Sequence, residues 1–265
     1  LDQNLVQLDE LEMPNKRLEH YDQKTRDRLY KAFGYTYEDI NSAILPMAKN
    51  GAEATAAMGT DIPLAMLSEK HQPLFNYFKQ LFAQVTNPPI DAIREEIVTD
   101  TSVYIGSDGN LLREQASNCR VLEIPNPIIT SAELMKIKAI NRPGFKVETV
   151  SLLYYKNTPL DRAIDRMFVD CDRAWRTGSN IIILSDRGVD ENHIAIPSLL
   201  AVSALEQYLI RTKKRTAVSV ILESAEPRDV HHFATLLGYG ARAINPYLAE
   251  ECITELIDSK LLDKD

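Results

Sequence analysis

Short apolar runs alternate with longer amphipathic segments in the second half of the chain, and this alternation restricts the fold more than any other feature. The apolar runs lie within residues 146–154, 181–184, 217–222 and 241–245. Each is followed by a segment with apolar residues at helical spacing, which predicts a series of β-α units. Strands that are connected through helices enter a sheet from the same end, so the sequence predicts a parallel sheet.

Prolines mark the predicted helix starts in this half, because proline is favoured in the first helical turn. The predicted helices begin at Pro159, which follows a capping Thr158, and at Pro197, Pro227 and Pro246. Gly238 is predicted to end the third of these helices. The first helix should bury the apolar residues that recur along one face, namely Leu160, Ile164, Met167, Cys171 and Trp175.

This alternation is absent before position 145, where the sequence predicts mostly helices and loops. The pattern favours helices over residues 22–33, 36–46, 73–86 and 91–99. In the last of these, Ile93 and Ile97 should face the core. A capping box of Thr130 and Glu133 predicts a further helix as far as Ile140.

Four β-α units are half of an eightfold β/α barrel, although they also suit an open doubly wound sheet. We therefore expect an α/β protein: a partial, rudimentary β/α barrel with parallel strands, preceded by a mainly helical subregion. The helical and loop part should cover about residues 21–144, and the β/α part about residues 145–260. Residues 1–20 are charged and show no clean period, so they are interpreted as a linker from a preceding domain.

Charge and cysteine spacing argue against several classes of partner. The net charge of −8 argues against nucleic acid or an anionic membrane, since both require a basic face. The one basic cluster, at residues 211–215, is interpreted as the solvated end of a helix. Cys119, Cys171 and Cys252 are too widely spaced for a zinc or iron–sulfur site, and their odd number fits a reducing, cytoplasmic location. No apolar run approaches the roughly 18 residues of a membrane span.

Polar residues follow the predicted strands, where parallel α/β folds place their sites. Asp186 and Arg187 follow the second strand, and Glu223 follows the third. A carboxylate beside a guanidinium at such a position makes a stand-alone small-molecule enzyme one hypothesis. Helix capping and domain contacts use the same residue types, so a structural role is the alternative.

Cofactor motifs are weak in this chain. A phosphate loop needs glycines between a strand and the next helix, whereas Gly238 and Gly240 follow a helix and precede a strand. We therefore expect no flavin, nucleotide, metal or catalytic site in the chain itself. His231 and His232 are adjacent on a predicted helix and point in different directions, so one should pack inward and the other should face a surface or a domain contact.

Three stretches of the sequence resemble the large subunits of glutamate synthases. They are MGTDIPLAMLS at 58–68, YFKQLFAQVTNPPIDAIRE at 77–95, and the region 195–250 with AIPSLLAV, ESAEPRDVHHF and LLGYGARAINPYLAE. The motif sequences differ from those usual in that family at a few positions, among them Ile62, Ala225 and Pro227. These motifs are similar to those of the family's central domain, which the resemblance places over residues 21–265.

The resemblance implies a role inside a larger oxidoreductase. In that family a glutamine amidotransferase domain precedes the central domain, and an FMN-binding barrel and a β-helix follow it. The parent enzyme makes glutamate from glutamine and 2-oxoglutarate, carries ammonia through an internal tunnel, and uses FMN and an iron–sulfur cluster. The implied partners are the amidotransferase and FMN-binding domains of the same polypeptide and, through the parent, a small subunit or ferredoxin. The fragment alone is expected to be inactive.

Candidate tunnel or interdomain residues lie in the conformationally special parts of the resembling motifs. Glycine permits close backbone approach and consecutive prolines make a rigid bend, so both suit a tunnel wall, and both equally suit an internal brace of a turn. The candidates are Met58, Gly59, Thr60, Asp61, Asn87, Pro88, Pro89, Asp91, Arg94, Glu95, Glu223, Arg228, His231 and His232.

Overall fold

The computed structural model describes residues 4–54, 64–79 and 89–263. The strands in these residues are β1 (Val6–Gln7), β2 (Val103–Ile105), β3 (Leu122–Ile124), β4 (Val147–Ser151), β5 (Leu153–Tyr155), β6 (Ile181–Ser185), β7 (His193–Ala195), β8 (Ser219–Glu223) and β9 (Ala243–Asn245). The α-helices are α1 (Gln23–Ala32), α2 (Leu45–Asn50), α3 (Ala92–Val98), α4 (Ser131–Lys138), α5 (Leu160–Arg176), α6 (Ser198–Arg211), α7 (Val230–Gly238) and α8 (Tyr247–Asp258).

The main sheet contains four parallel strands in the order β4-β6-β8-β9. A helix follows each strand, which confirms the predicted α/β class and the parallel sheet. The strand order follows the chain order without a reversal. Within the described residues β4 and β9 are the two edges of this sheet, so the strands form an open sheet there and not a closed barrel.

Both faces of the main sheet are buried, which explains why its strands read as continuous apolar runs. In β6 the side chains of Ile182 and Leu184 pack with α5, α6 and α7. Ile181 and Ile183 point the other way and pack with α4 and a smaller sheet. One strand therefore contributes to two hydrophobic cores, since successive side chains of a strand alternate between its faces.

The smaller sheet has the order β1-β3-β2, with β1 parallel and β2 antiparallel to β3. Strand β1 comes from the segment interpreted as a linker, and Leu8 and Leu11 of the same segment are buried. Part of that segment thus packs against the fold. Its role as a link to another domain stays a prediction.

A two-stranded antiparallel pair of β5 and β7 was not anticipated from the sequence. The sequence predicts one continuous strand over 146–154, but the chain leaves the parallel sheet at Leu152, whose backbone N–H donates to the Ser185 carbonyl. Strand β7 is three residues long and mostly exposed, so it lacks the apolar alternation that marks a strand.

The first half of the chain follows the predictions in part. Asp22 caps α1 by accepting from the Thr25 N–H, as the predicted helix start requires. The prediction that Pro46 ends the second helix is wrong, because a π-helical turn, Asp39–Ile44, leads directly into α2. Pro46 lies in the first turn of α2, where its missing N–H is tolerated. Of the helix predicted over 73–86, the described part is a 3-10 helix, Leu74–Phe78, and residues 80–86 lie outside the described residues.

Helix α3 forms where it is predicted, but the predicted orientation of its isoleucines is wrong. The Ile93 side chain is 80% exposed and that of Ile97 is 72% exposed. Periodicity identifies an apolar face but does not identify the surface that covers it.

The helix boundaries of the second half need smaller corrections. Helix α5 buries Met167 and Cys171 as predicted, whereas Leu160 and Trp175 are each 37% exposed. The Thr158 side chain does not cap that helix, whose N-cap is Pro159. Helix α7 begins after Asp229, which accepts from the His232 N–H, and not at Pro227.

Helix α7 ends at Gly238 as predicted, whereas the basic cluster after α6 differs from the prediction. Gly238 is the last residue of α7, and the residue with positive φ is Gly240, at +119°. A Cβ at that position would lie 2.8 Å from the Glu206 carboxylate. Two residues of the cluster at 211–215 are paired: Lys214 donates to Asp172 at 2.7 Å, and Arg215 donates to Glu206.

Helix α1 and the residues just before it pack against α8. The Tyr30 hydroxyl donates to Glu255 Oε2 at 2.7 Å, and the ring Nδ1 of His20 lies 2.9 Å from Glu251 Oε1. Tyr21 and Tyr30 join small hydrophobic clusters with the buried face of α8. Within the described ranges, no helix combines the length and the apolar character that crossing a membrane requires.

Candidate functional site

The carboxyl ends of three neighbouring strands bring the polar candidates together. Ser185 of β6 lies opposite Glu223 of β8, which in turn lies opposite Asn245 of β9. Asp186 and Arg187 follow β6 directly, so the predicted grouping of Asp186, Arg187 and Glu223 is found at the carboxyl ends of the strands. This end of the sheet is the position at which parallel α/β folds place ligands.

Glu223 is the centre of this group. Its carboxylate is buried and accepts from Arg187 Nε at 2.6 Å on Oε1 and from Lys138 Nζ at 2.7 Å on Oε2. Burial acts to raise the pKa of Glu223, but the Lys138 ammonium and the Arg187 guanidinium outweigh it and hold the pKa below its usual range. The carboxylate is therefore ionised and both of its oxygens are already occupied.

Two tyrosines enclose the Arg187 guanidinium. Its Nη1 donates to the Tyr21 hydroxyl at 2.9 Å, and its central carbon lies 4.0 Å from the centroid of the Tyr247 ring. A cation over a tyrosine face is stabilised by the ring quadrupole. Arg187 thus holds Tyr21, from the amino-terminal segment, and Tyr247, from α8, over the end of β6.

Asp186 is fully buried beside this group. It accepts from Ser224 Oγ at 2.6 Å and from the Ala225 N–H at 3.1 Å. Burial raises the pKa of Asp186 to about 7, although the hydrogen bond from Ser224 acts in the opposite direction. Ser224 and Ala225 belong to the loop after β8, so the Asp186 side chain fixes that loop.

Arg228 connects the same loop to the first half of the chain. Its Nη1 and Nη2 donate to the carbonyls of Phe33 and Gly34 at 3.1 and 2.9 Å, and Nη2 lies 3.1 Å from Asp39 Oδ2. The guanidinium also stacks over the Tyr35 ring. These acceptors are the carbonyls at the end of α1, which lack partners inside the helix.

His231 and His232 both contact Phe75, one through its backbone and the other through its ring. The His232 ring is buried and stacks on Phe75, with centroids 4.3 Å apart, and His231 Nε2 lies 2.8 Å from the Phe75 carbonyl oxygen. Burial lowers the pKa of His232 to about 4, although the neighbouring Asp229 partly opposes it. The structure confirms that one of the pair packs inward.

A polar cavity of about 450 Å³ lies beside these groups. Side chains of both signs line it, including Lys31, Asp39, Lys79, Glu226, Arg228 and Asp229. The Glu226 carboxylate is already used there, since it accepts from the Ser198 N–H at 2.7 Å at the start of α6.

The remaining sequence-predicted residues lie elsewhere. Met58, Gly59, Thr60, Asp61, Asn87 and Pro88 lie outside the described residues. Asp91 caps α3 by accepting from the N–H groups of Ile93 and Arg94. Pro89, Arg94 and Glu95 are exposed. Arg228 and His232 are in contact, since the Arg228 N–H donates to His232 Nδ1 at 3.3 Å, whereas Glu223 pairs with Arg187 and Lys138.

Sequence reasoning missed the partners of the strand-end charges. Lys138 is the last residue of α4, Tyr21 precedes α1, and Tyr247 opens α8, so long-range packing alone brings them to Glu223 and Arg187. Tyr247 carried one available signal, since it follows the Asn-Pro pair at the end of β9 in a resembling motif. Among the described residues no group of three or more His, Cys, Asp or Glu side chains has a metal-binding arrangement.

These features define a class: a mixed α/β domain with a four-stranded parallel sheet whose strand-end charges pair with one another. Comparison with known proteins identifies the family. Residues 28–265 match the family model described as the glutamate synthase central domain. The chain belongs to the glutamate synthase central domain family.

Relatives with different electron donors in their names share this region. The chain is 46% identical over 263 residues to the NADPH glutamate synthase large chain of Bacillus subtilis, covering 99% of this chain and 17% of that one. It is 44% identical over 236 residues to the NADH glutamate synthase of Schizosaccharomyces pombe, covering 87% and 11%. It is 42% identical over 230 residues to ferredoxin-dependent glutamate synthase 2 of Synechocystis, covering 84% and 15%. The chain thus spans less than a fifth of the length of these relatives.

Proposed function

We propose that this chain is the non-catalytic central domain of a glutamate synthase, which joins an amidotransferase domain to an FMN-binding domain and forms part of the ammonia tunnel. The parent enzyme makes glutamate from glutamine and 2-oxoglutarate. FMN and the iron–sulfur cluster belong to other domains of the parent, which receives electrons from a small subunit or from ferredoxin. The observation that carries the proposal is the internal pairing of Asp186, Arg187 and Glu223 with protein groups.

The sheet supports an origin as a partial β/α barrel. Strands β4, β6, β8 and β9 follow one another in chain order, as in a barrel, whereas a doubly wound sheet reverses its order. Helices α5, α6 and α7 cover one face, and α4 with the smaller sheet covers the other. We interpret the second face as the one that would line a barrel, here filled by the first half of the chain.

A stand-alone enzyme with its site at Asp186, Arg187 and Glu223 is the alternative. The pKa of Asp186 near 7 favours it, because a group that titrates near neutral pH suits proton transfer. The burial of that carboxyl and its hydrogen bonds to Ser224 and Ala225 oppose it.

Two measurements separate these functions. FMN mixed with the 265-residue chain should elute apart from it on a sizing column, and stoichiometric retention of the yellow chromophore would overturn the proposal. In the full-length large chain, Asp186→Asn should change the rate of glutamate formation at pH 7 by no more than about twofold, since the residue fixes a loop. A loss of about 100-fold with the fold intact, which is typical of a missing acid or base, would favour the enzyme.

The tunnel role rests on the resembling motifs and has its own test. In the full-length large chain, Gly59→Leu should preserve glutamine hydrolysis but raise the ratio of glutamine hydrolysed to glutamate formed about tenfold. A larger side chain would obstruct close backbone approach at a tunnel wall. Assay of both products in the same reaction measures that ratio. An unchanged ratio would show that Gly59 has no part in ammonia transfer.

A further inference from the structure

A small cavity of about 150 Å³ lies at the carboxyl ends of β6 and β8. Its wall is formed by residues 16–19 of the amino-terminal segment, by one side of α4, and by the two strand-end residues Arg187 and Glu223. Parallel α/β folds bind their ligands at this end of the sheet. The cavity therefore has the position of a ligand site, and its lining determines what it can hold.

The charges around this cavity are mainly positive, although the whole chain has a net charge of −8. Four cationic side chains and two carboxylates line it: Lys16, Arg17, Lys138 and Arg187, with Glu19 and Glu223. Glu223 is shared between Arg187 and Lys138, so it balances only one of those two cations. A cleft in which one sign of charge is in excess concentrates ions of the opposite sign.

The two inner cations retain N–H groups for an occupant. An ammonium carries three N–H donors and a guanidinium carries five. Within the described residues, Lys138 Nζ donates only to Glu223, and Arg187 donates through Nε and Nη1 but not through Nη2. Both side chains are partly exposed and line the cavity, so their remaining N–H groups are available there.

The segment that supplies Lys16 and Arg17 is held on both sides of the cavity. Before it, Leu11 is buried in the core beside the smaller sheet. After it, the Tyr21 hydroxyl accepts from Arg187 Nη1 at 2.9 Å, and the Tyr21 N–H donates to Glu251 Oε2 at 3.3 Å. Residues 16–19 thus lie between two fixed points, which keeps their basic side chains close to the strand ends.

Size and apolar lining restrict the class of anion. Drug-sized ligands occupy about 300–1,000 Å³, so a cavity of about 150 Å³ suits a smaller molecule than a flavin or a nucleotide. Leu18, Leu134 and Met135 form an apolar part of the wall, and a carbon chain covers such a surface better than a phosphate ion does. A carboxylate also matches the planar donors of a guanidinium.

We propose that this cavity binds a short dicarboxylate, with one carboxylate at Lys138 and Arg187 and the other at Lys16 and Arg17. The two carboxylates match the excess of two positive charges, since four cations and two acidic groups line the cavity. The site is a binding site without catalysis, and it goes beyond the proposed function because a domain that joins its neighbours needs no ligand. A bound dicarboxylate connects the amino-terminal segment to the strand ends.

Protection of Lys138 from acylation in the full-length large chain tests the site, with succinate as the probe. Succinate at ten times its dissociation constant should slow the reaction of Lys138 with a lysine-reactive ester about tenfold, because only the unoccupied site reacts. Peptide mass spectrometry measures the rate, and sodium chloride keeps the ionic strength equal, since salt screens surface charges.

Lys156 is the internal control in the same digest. Its Nζ donates to the Glu191 carbonyl at 3.0 Å, and it does not line the cavity. Its rate of acylation should not change with succinate. An unprotected Lys138, or equal protection of Lys138 and Lys156, would overturn the proposal.

Arg17→Gln should raise the succinate concentration for half-protection of Lys138 about tenfold, which is the usual effect of losing one charge-assisted hydrogen bond. Arg17 is exposed, so the variant should fold. Arg162→Gln is the matched control, since it removes the same charge from an exposed position on α5, and it should leave the half-protection concentration unchanged. Equal weakening by the two substitutions would contradict the site, because net charge alone would then explain it.

Inorganic phosphate distinguishes the dicarboxylate from other small dianions. Phosphate has no carbon chain to cover Leu18, Leu134 and Met135, so it should protect Lys138 only at higher concentrations than succinate does. Protection by phosphate at equal or lower concentrations would overturn the assignment to a dicarboxylate. None of these measurements depends on glutamate formation, so failure of the proposed function is distinguishable from failure of this site.

Discussion

Glu223→Gln should lower the free energy of unfolding of the 265-residue chain by about 3 kcal/mol, measured by urea denaturation at pH 7. The carboxylate bonds both Arg187 and Lys138 in a buried position. Its loss leaves two cations without a counter-charge, and breaking one partner of a buried pair ordinarily costs about 3–5 kcal/mol. We expect the lower end because the Lys138 side chain is 33% exposed and is able to turn toward water.

Glu148→Gln is the control for that experiment. Glu148 is exposed on the edge strand β4, so its substitution should change the stability by less than about 0.5 kcal/mol. Equal effects of the two substitutions would show that the ion pairs at the end of β8 contribute nothing beyond the surface charge.

Asp186→Asn should change the pH dependence of stability. Burial raises the pKa of Asp186 from 3.8 to about 7, so the folded chain holds this proton more tightly than the unfolded chain. The resulting stabilisation is complete below pH 4 and is lost as the pH rises through 7. A shift of this size corresponds to about 4 kcal/mol.

The variant lacks that titration, so its stability relative to the wild type should rise by about 4 kcal/mol between pH 4 and pH 7.5. Urea unfolding of both proteins at several pH values in that range measures the difference. His232 titrates in the opposite sense, since its lowered pKa gives stability that is present above pH 6.5 and lost toward pH 4. Comparison of the variant with the wild type removes the His232 contribution. Parallel pH profiles of the two proteins would refute the assignment of a buried proton to Asp186.

The sequence predicts best where a local pattern alone determines the outcome. The apolar run of β6 is buried on both faces, and the capping box of Thr130 and Glu133 forms at the start of α4. Neither feature depends on a distant part of the chain. The placement of Asp186 and Glu223 at one sheet edge follows from parallel strands alone.

The predictions are wrong or incomplete where a contact with a distant part of the chain determines the structure. Arg187 contacts Tyr21 and Tyr247, which are separated from it by many residues, so no local pattern pairs either tyrosine with it. The stripe of Ile93 and Ile97 correctly indicates a helix, but its orientation depends on which surface is available to cover it. The pair of β5 and β7 depends on the exit of the chain from the main sheet at Leu152.

Hydrogen bonds between the amino-terminal segment and the last part of the chain affect the order in which this domain acquires its structure during synthesis. Arg228 bonds the Phe33 carbonyl across 195 residues, Tyr30 bonds Glu255 across 225, and His20 bonds Glu251 across 231. Contacts of such separation form late, because the intervening chain must first be closed into a loop. During synthesis of this domain, residues 20–34 leave the ribosome well before their hydrogen-bond partners. Those partners are complete only when α8 has also left the ribosome. Within this domain, the segment that is synthesised early is therefore among the last to complete its contacts.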